Sequence, residues 1–293
     1  MYFSRNNQIH DHLHSLTKNN LTMKPIHPRN ISMRRSNLNN NLPLSVQSFP
    51  GSLPHELSIE QQLYFKTLTE SCFNGTNEEC IDAFECLASD AALQPLLPRL
   101  LLFISKGIEK NIYLNDLMYI LQYLSILKML TTNTFISFDK YLHKIIPSLL
   151  TCLVCLFDTA KIHAIPSAIE TINPNKLSLS TIWLLREQAS DLLVFFQNHF
   201  STISCLTQRI TSILKSKLIN CDIVVTYSIM YSALRTLLLI DRQEYSSLLL
   251  NILRANGEQM KRCESDFDLD VTEQQTLFDR KIAELLQKYD LQL

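Results

Sequence analysis

Glycine is nearly absent from this sequence, and its scarcity limits the folds that the chain can adopt. The 293 residues include only Gly51, Gly75, Gly107 and Gly257, where average usage would supply about twenty. Tight β-hairpins and phosphate-binding loops depend on glycine, because their backbones need conformations that other residues adopt only at a cost. Leucine and isoleucine are abundant instead, and hydrophobic residues make up 46% of the sequence. The composition therefore favours an all-helical protein with a large apolar core.

The clearest helix start lies at Ser58. Ser58 and Gln61 form a capping-box pattern, in which each side chain accepts a hydrogen bond from a backbone N–H group of the first turn. The same pattern recurs at Thr76 with Glu79 and at Thr272 with Gln275. The spacing of apolar residues after Ser58 predicts one buried helix face, formed by Ile59, Leu63, Leu68 and Cys72.

Helical periodicity continues from there to the C-terminus. It predicts helices at about 57–74, 77–89, 93–110, 115–131, 138–157, 180–200, 202–219, 222–240, 242–262 and 272–290. The helix at 115–131 is apolar on most faces, as expected for a helix between two neighbours, and Pro147 is expected to kink the next one. About forty to fifty residues per helical pair is the repeat length of HEAT-type solenoids. The predicted fold class is therefore an all-α solenoid of about five HEAT-type helical pairs.

The pattern also suggests where the folded part begins. Residues 1–53 contain Arg and Lys but only one acidic residue, Asp11, and many asparagines, so they are predicted to be a disordered, polar, basic arm. Residues 54–293 are predicted to form the HEAT-repeat domain. Within it, residues 158–180 contain two prolines and are interpreted as a loop insertion.

Several classes of function are disfavoured by the residues themselves. The net charge of −1 gives no overall field for nucleic acid, and the longest charge-free apolar run, 145–157, is too short for a bilayer. The CxxC at Cys152 and Cys155 has no second pair for a metal site and is interpreted as two core cysteines. The sequence contains no nucleotide-binding, zinc-protease or hydrolase motif. The chain is therefore predicted to have no enzymatic activity, no cofactor and no metal, and to bind neither membrane nor nucleic acid directly. Seven aromatic residues on the predicted helices are candidate anchors for a protein partner, and more than half of them are expected to be buried or half-buried: Tyr64, Phe65, Tyr113, Tyr119, Tyr123, Tyr141 and Tyr245.

Several motifs, in the same order, resemble those of a known family. They are His55-Glu56-Leu57-Ser58 with Gln61 and Tyr64, Leu97-Pro98-Arg99, Lys140-Tyr141 with Pro147, Trp183 with Arg186, and Gln208-Arg209. In this order they resemble the C-terminal helical-repeat domain of transcription initiation factor TFIID subunit 6, a family that includes a paralogue in SAGA-type coactivators. The candidate site residues carried by the resemblance are His55, Glu56, Leu57, Ser58, Gln61, Tyr64, Pro98, Arg99, Tyr141, Pro147, Trp183, Arg186 and Arg209.

The resemblance implies a function as well as a fold. It implies five HEAT repeats and a non-enzymatic, nuclear scaffold subunit of TFIID or of a SAGA-like complex, with other TBP-associated factors or SAGA subunits as partners. Family members pair with TFIID subunit 9 through a histone fold. Residues 1–53 are too short and too polar for that fold, so this pairing is not expected of this chain. The alternative is a helical-repeat adaptor of a complex unrelated to transcription, and the residues do not separate the TFIID subunit from its coactivator paralogue.

Overall fold

The computed structural model describes residues 57–157, 174–201, 204–219, 227–251 and 269–289. All regular secondary structure in these ranges is helical, which confirms the all-α fold class. The chain divides into two compact units, Met1–Ala83 and Phe84–Leu293. The predicted basic arm lies outside the described residues, as do residues 158–173 of the predicted loop.

The helices follow the predicted order. They are α1 Ile59–Asn74, α2 Asn77–Ser89, α3 Leu97–Leu114, α4 Leu117–Thr132, α5 Leu142–Val154, α6 Pro174–His199, α7 Ser204–Ile219, α8 Tyr227–Ile240, α9 at 242–251, and α10 Leu269–Tyr289. A single 3₁₀ turn, Ala91–Leu93, lies between α2 and α3.

In the first unit, two of the predicted capping boxes are confirmed. The Gln61 N–H donates to Ser58 Oγ at 3.2 Å, and the Ser58 N–H donates back to Gln61 Oε1 at 3.1 Å. Thr76 and Glu79 make the same reciprocal pair, at 2.7 and 3.3 Å. These bonds satisfy N–H groups that a helix start leaves without an intrahelical partner.

The predicted apolar face of α1 is wrong in its first half. Leu68 and Cys72 are buried, but Ile59 is 84% exposed and Leu63 is 45% exposed. Ile59 and Leu68 are nine residues apart, which is two and a half turns at 3.6 residues per turn. They therefore point to opposite sides of the helix. When the side with Leu68 and Cys72 is buried, the side with Ile59 is exposed.

In the second unit the helices pack as alternating layers. Consecutive helices pack as pairs, α3 with α4, α5 with α6, and α7 with α8. Helices two apart also pack, because α3 contacts α5, and α4, α6, α8 and α10 contact one another in that succession. This is the pattern of stacked two-helix repeats, in which each pair buries its apolar faces on the next. Helix α4 lies between α3 and α6 and is buried on most sides, as its apolar sequence predicts.

Proline explains why α3 begins later than expected. The predicted start was about residue 93 with both Pro95 and Pro98 in the first turn, but α3 begins at Leu97 and only Pro98 lies within it. Proline has no N–H group and its ring collides with the carbonyl four residues earlier, so it is favourable in the first turn and costs stability further inside a helix, where Pro147 of α5 nevertheless lies. A helix that began at 93 would have placed Pro98 beyond that turn.

The boundaries around the predicted loop also differ from expectation. Helix α5 begins at Leu142 rather than 138, after a turn in which the Tyr141 N–H donates to the Phe138 carbonyl at 2.8 Å. Pro147 lies inside α5, as predicted. Helix α6 begins at Pro174, so residues 174–180 are helical and not part of a loop. Pro174 occupies the first helical position, where its fixed φ angle suits the helix.

The third predicted capping box is wrong. Helix α10 begins at Leu269, so Thr272 lies within the helix and is not its N-cap. The pattern is ambiguous because threonine and glutamine are both tolerated inside helices.

Candidate functional site

The candidate site residues are distributed along the chain rather than gathered in one cleft. His55 and Glu56 lie outside the described residues. Leu57 is buried, Tyr64 is half-buried, and Ser58 and Gln61 form the cap of α1. In the second unit, Pro98 and Tyr141 lie at the starts of α3 and α5, Arg99 and Tyr141 are half-buried, and Pro147 and Arg209 are exposed. Only Trp183 and Arg186, both on α6, are fully buried charged or aromatic members of the set.

Arg186 forms the most unusual polar arrangement in the described residues. Its side chain is 1% exposed. Nη1 donates to the carbonyl oxygens of Cys152, at 3.3 Å, and Leu153, and Nη2 donates to the Cys155 carbonyl at 2.9 Å. The guanidinium therefore binds main-chain oxygens at the end of α5, where the helix leaves its last carbonyl groups without partners.

The helix end also compensates part of the buried charge. The C-terminus of a helix carries a partial negative charge, so a cation is favoured there. The Phe157 ring adds a cation–π contact, with Arg186 Cζ 5.4 Å from its centroid. Burial lowers the pKa of Arg186 to about 10, which leaves the guanidinium charged at neutral pH. We name this arrangement, formed by Arg186 and the carbonyls of Cys152, Leu153 and Cys155, the arginine clamp.

The two cysteines of the CxxC lie beside the clamp and act as structural residues. Cys152 is buried and Cys155 is half-buried. Burial raises the pKa of the Cys155 thiol to about 11 and also raises that of Cys152. Because the thiolate is the reactive and metal-binding form, burial disfavours that form at both cysteines. The interpretation of this motif as core cysteines agrees with their placement.

Glu187, the residue after Arg186, connects three helices. Its Oε1 accepts a hydrogen bond from the Tyr231 hydroxyl of α8 at 3.0 Å and pairs with Lys281 Nζ of α10 at 3.0 Å. Burial raises the pKa of Tyr231, so its hydroxyl remains a donor. The Trp183 ring packs on the Tyr231 ring with centroids 5.0 Å apart. The Glu187 carboxylate thus fixes α8 and α10 against α6.

Further polar contacts reinforce the packing of α6 against α8. Arg235 donates to Asp191 Oδ1 at 2.7 Å, and Thr236 Oγ1 donates to Ser190 Oγ at 2.9 Å. Ser232 Oγ donates to the Leu153 carbonyl at 3.0 Å, the same group that Arg186 binds. The end of α5 is therefore held by both α6 and α8.

Asn133 is a structural residue that the sequence analysis missed. It is 3% exposed, and its Nδ2 donates to the carbonyls of Leu87, at 3.1 Å, and Asp90, at 3.0 Å. Its Oδ1 accepts from the Phe135 N–H at 2.9 Å. An asparagine at a helix end usually indicates a local turn, and no local pattern reveals partners more than forty residues away.

The described residues offer polar joints between helices. Within those ranges no group of three or more His, Cys, Asp and Glu side chains could hold a metal ion. No helix in the same ranges is long and apolar enough to cross a bilayer. The polar clusters instead bind one helix to another.

Comparison with known proteins gives a consistent family. Residues 53–254 match the family model described as the TAF6 C-terminal HEAT repeat domain. The chain is 34% identical over 167 residues to transcription initiation factor TFIID subunit 6 of Drosophila melanogaster, which covers 57% of this chain and 25% of that protein. It is 29% identical over 220 residues to the Arabidopsis thaliana protein of the same name, covering 71% of this chain and 37% of that protein.

Two further matches extend the comparison. A Schizosaccharomyces pombe protein named SAGA complex/transcription factor TFIID complex subunit Taf6 is 35% identical over 101 residues, or 34% of this chain and 22% of that protein. The matches to these three relatives thus span between about a fifth and two-fifths of their lengths. The solved TAF6 C-terminal domain from Antonospora locustae matches with a TM-score of 0.52 and 22% identity, over 78% of this chain and 97% of that one. That likeness shows the fold.

Proposed function

Since this chain belongs to the family of TAF6 C-terminal HEAT repeat domains, we propose that it is a non-enzymatic scaffold subunit of TFIID or of a SAGA-like complex. The observation that carries the proposal is the family match over residues 53–254. Its partners would be other TBP-associated factors or SAGA subunits, and it would act in the nucleus.

The geometry supports a scaffold because its buried polar groups fix helices in place. The arginine clamp holds the end of α5, and the Glu187 contacts hold α8 and α10 against α6. Buried hydrogen bonds can favour one arrangement of the surrounding elements, and the two terminal nitrogens of Arg186 make three of them, while its Nε is buried without a partner. A subunit that orients its neighbours needs such a rigid surface, and affinity then comes from a few anchor residues on it.

Affinity purification tests the proposal. We expect the tagged 293-residue chain, expressed at native level, to recover TBP-associated factors from nuclear extract in amounts comparable to the chain itself. Recovery of SAGA subunits without TFIID-specific ones would assign the coactivator complex. A folded chain that recovers neither set, but is bound to a cytoplasmic assembly, would overturn the proposal in favour of an adaptor outside transcription.

A matched control keeps the experiment informative. Lys217 is an exposed lysine on α7, so Lys217→Gln should leave both the fold and the recovered proteins unchanged. Arg186→Met should lower the recovery of all partners together, because loss of the clamp disturbs the surface as a whole rather than one contact.

A further inference from the structure

The outer side of α3 is basic. This helix buries one side, and the opposite side carries Arg99, Lys106 and Lys110. These residues are separated by seven and four positions, so they form one stripe along the helix. Lys106 and Lys110 are exposed, and Arg99 is half-buried.

Helix α5 packs against α3, and its start is also basic. Exposed residues at the start of α5 and just before it include Lys140 and His143, and Lys144 is half-buried beside them. Two carboxylates accompany these cations. Glu109 pairs with Lys106 at 2.6 Å, and Asp139 accepts a hydrogen bond from Ser137 Oγ.

With Asp116 at the turn after α3 included, the surface has five lysine or arginine side chains and three acidic ones, although the whole chain has a net charge of −1. The Lys106–Glu109 pair is 55% and 70% exposed, and exposed ion pairs of this kind contribute about 0–1 kcal/mol. Glu109 consequently does little to prevent Lys106 from meeting another carboxylate. The excess of positive charge is local to this surface.

Large apolar side chains stand at the end of the same stripe. Tyr113 is 89% exposed, Leu114 is 56% exposed and Tyr119 is 44% exposed. They surround the turn at Asn115, whose left-handed backbone, with φ of 59°, ends α3. Clustered exposed apolar residues on a soluble protein are typical of interaction sites, and tyrosine is frequent among the residues that anchor them.

We propose that this surface docks an acidic segment of a partner protein that also carries leucine or aromatic side chains. We call it the α3–α5 face, defined by Arg99, Lys106, Lys110, Tyr113, Leu114, Tyr119, Lys140 and Lys144. Acidic side chains would meet the basic stripe, and the apolar side chains would cover Tyr113 and Leu114. A peptide fits better than nucleic acid, because Glu109 and Asp139 would repel a continuous row of phosphates and the apolar end offers them no contact. The inference goes beyond the proposed function and does not depend on it, since binding is measured on the purified chain.

Peptide binding tests the proposal directly. Fluorescence anisotropy would follow a labelled synthetic peptide in which glutamate alternates with leucine and phenylalanine, titrated with the 293-residue chain. We expect binding that weakens with added salt, and a loss of affinity of about tenfold or more in Lys106→Glu/Lys110→Glu, because two attractions become repulsions. Tyr113→Ser should weaken binding about threefold or more, since it removes the exposed anchor.

Matched controls separate this face from general electrostatics. The double variant Lys217→Glu/Lys288→Glu, on α7 and α10, changes the net charge of the chain by the same amount as Lys106→Glu/Lys110→Glu. We expect it to bind the peptide with unchanged affinity. Circular dichroism and thermal melting of every variant would establish that the fold is retained, as expected for exposed positions. A second peptide, with serine in place of leucine and phenylalanine, should bind more weakly.

Four outcomes would overturn the proposal. They are no binding of the acidic–apolar peptide, equal binding by the Lys106→Glu/Lys110→Glu chain, equal binding of the serine peptide, and tighter binding of duplex DNA through the same lysines. None of these outcomes bears on membership of TFIID or SAGA, which the affinity purification decides separately.

Discussion

At the scale of single residues, Arg186 and Gly107 show how much depends on a side chain's exact neighbours. Arg186 places a positive charge in the interior with carbonyl oxygens as its partners. Gly107 is buried in α3, where a Cβ atom would lie 2.1 Å from Tyr123 Cζ. Both residues are visible in the sequence, but neither role is. The sequence places Arg186 in a family motif with Trp183 but does not predict what it binds. Gly107 is one of four glycines, and nothing in the sequence shows that Tyr123 packs against it.

Replacement of Arg186 by methionine should destabilise the protein by about 3 kcal/mol or more. Methionine fills much of the volume but donates no hydrogen bond, and each buried carbonyl left unpaired costs about 1–3 kcal/mol. Urea unfolding would measure the change in the free energy of unfolding. Arg209→Met, at an exposed position on α7, is the control and should stay within about 0.5 kcal/mol of the original chain. An equally small effect of Arg186→Met would contradict the clamp.

Replacement of Gly107 by alanine involves two opposed effects. Alanine is a better helix former by about 1 kcal/mol, whereas the overpacking against the Tyr123 ring costs about 1–3 kcal/mol. Because Tyr123 is also 3% exposed and packs edge-on against Phe103, its ring has little room to move, and we expect net destabilisation. In a chain that already carries Tyr123→Leu, adding Gly107→Ala should lower the melting temperature less than the same change does in the original chain, because the ring that the Cβ atom meets is gone. A more stable Gly107→Ala chain would show that the ring moves aside.

At the scale of helices, the sequence predicts which elements form better than how their ends are made. Two of three capping boxes are confirmed, and helix α2 agrees with its predicted bounds. The third failed because Thr272 and Gln275 are tolerated inside α10, and α3 was predicted to begin too early because Pro95 and Pro98 are not equivalent. Ile59 was misplaced because an interval of nine residues reverses the side of a helix.

Contacts between helices are the part that the sequence does not predict. Asn133, Glu187 and Ser232 join groups that lie between 43 and 94 residues apart, and no periodic pattern encodes such pairs. The arginine clamp uses backbone carbonyls, which every residue possesses, so its partners leave no mark in the sequence. Sequence reasoning therefore predicts the helices and their pairing but not the joints between them.

Replacement of Glu187 by glutamine should loosen α10. Glutamine still accepts a hydrogen bond from Tyr231 but loses the charge attraction to Lys281, whose side chain is 24% exposed. We expect a loss of about 1 kcal/mol in the local stability of α10, measured as faster amide hydrogen exchange in residues 275–288. Asp191→Asn, which affects the Arg235 pair on α8, should leave exchange in α10 unchanged. Equal exchange in the two variants would show that Glu187 does not hold α10.

At the scale of the whole molecule, the second unit is a succession of helical layers in which each contacts the next. In such an arrangement stability is approximately a sum of terms for each repeat and for each interface between neighbours. The family match and the solved relative confirm the HEAT fold that the repeat length predicts. A change in one layer should therefore weaken adjacent layers more than distant ones.

Leu121→Ala in α4 tests this gradient. Leu121 is 9% exposed, and truncation of a buried leucine costs about 2–5 kcal/mol. We expect a lower melting temperature, with the greatest loss of hydrogen-exchange protection in α3, α4 and α6 and the least in α10. The exposed Leu114→Ala serves as the comparison and should shift the melting temperature little. An unchanged melting temperature for Leu121→Ala would contradict its burial. A uniform loss of protection over all helices would contradict the model in which each repeat is stabilised by its neighbours.

The arginine clamp has a consequence for how this joint would look across related sequences. Because Arg186 binds main-chain oxygens, the side chains at 152, 153 and 155 can be exchanged without altering its ligands. Residues in contact often show correlated substitutions, but we expect no such correlation between position 186 and positions 152, 153 and 155. Related sequences should then keep the arginine while the side chains at the three partner positions vary.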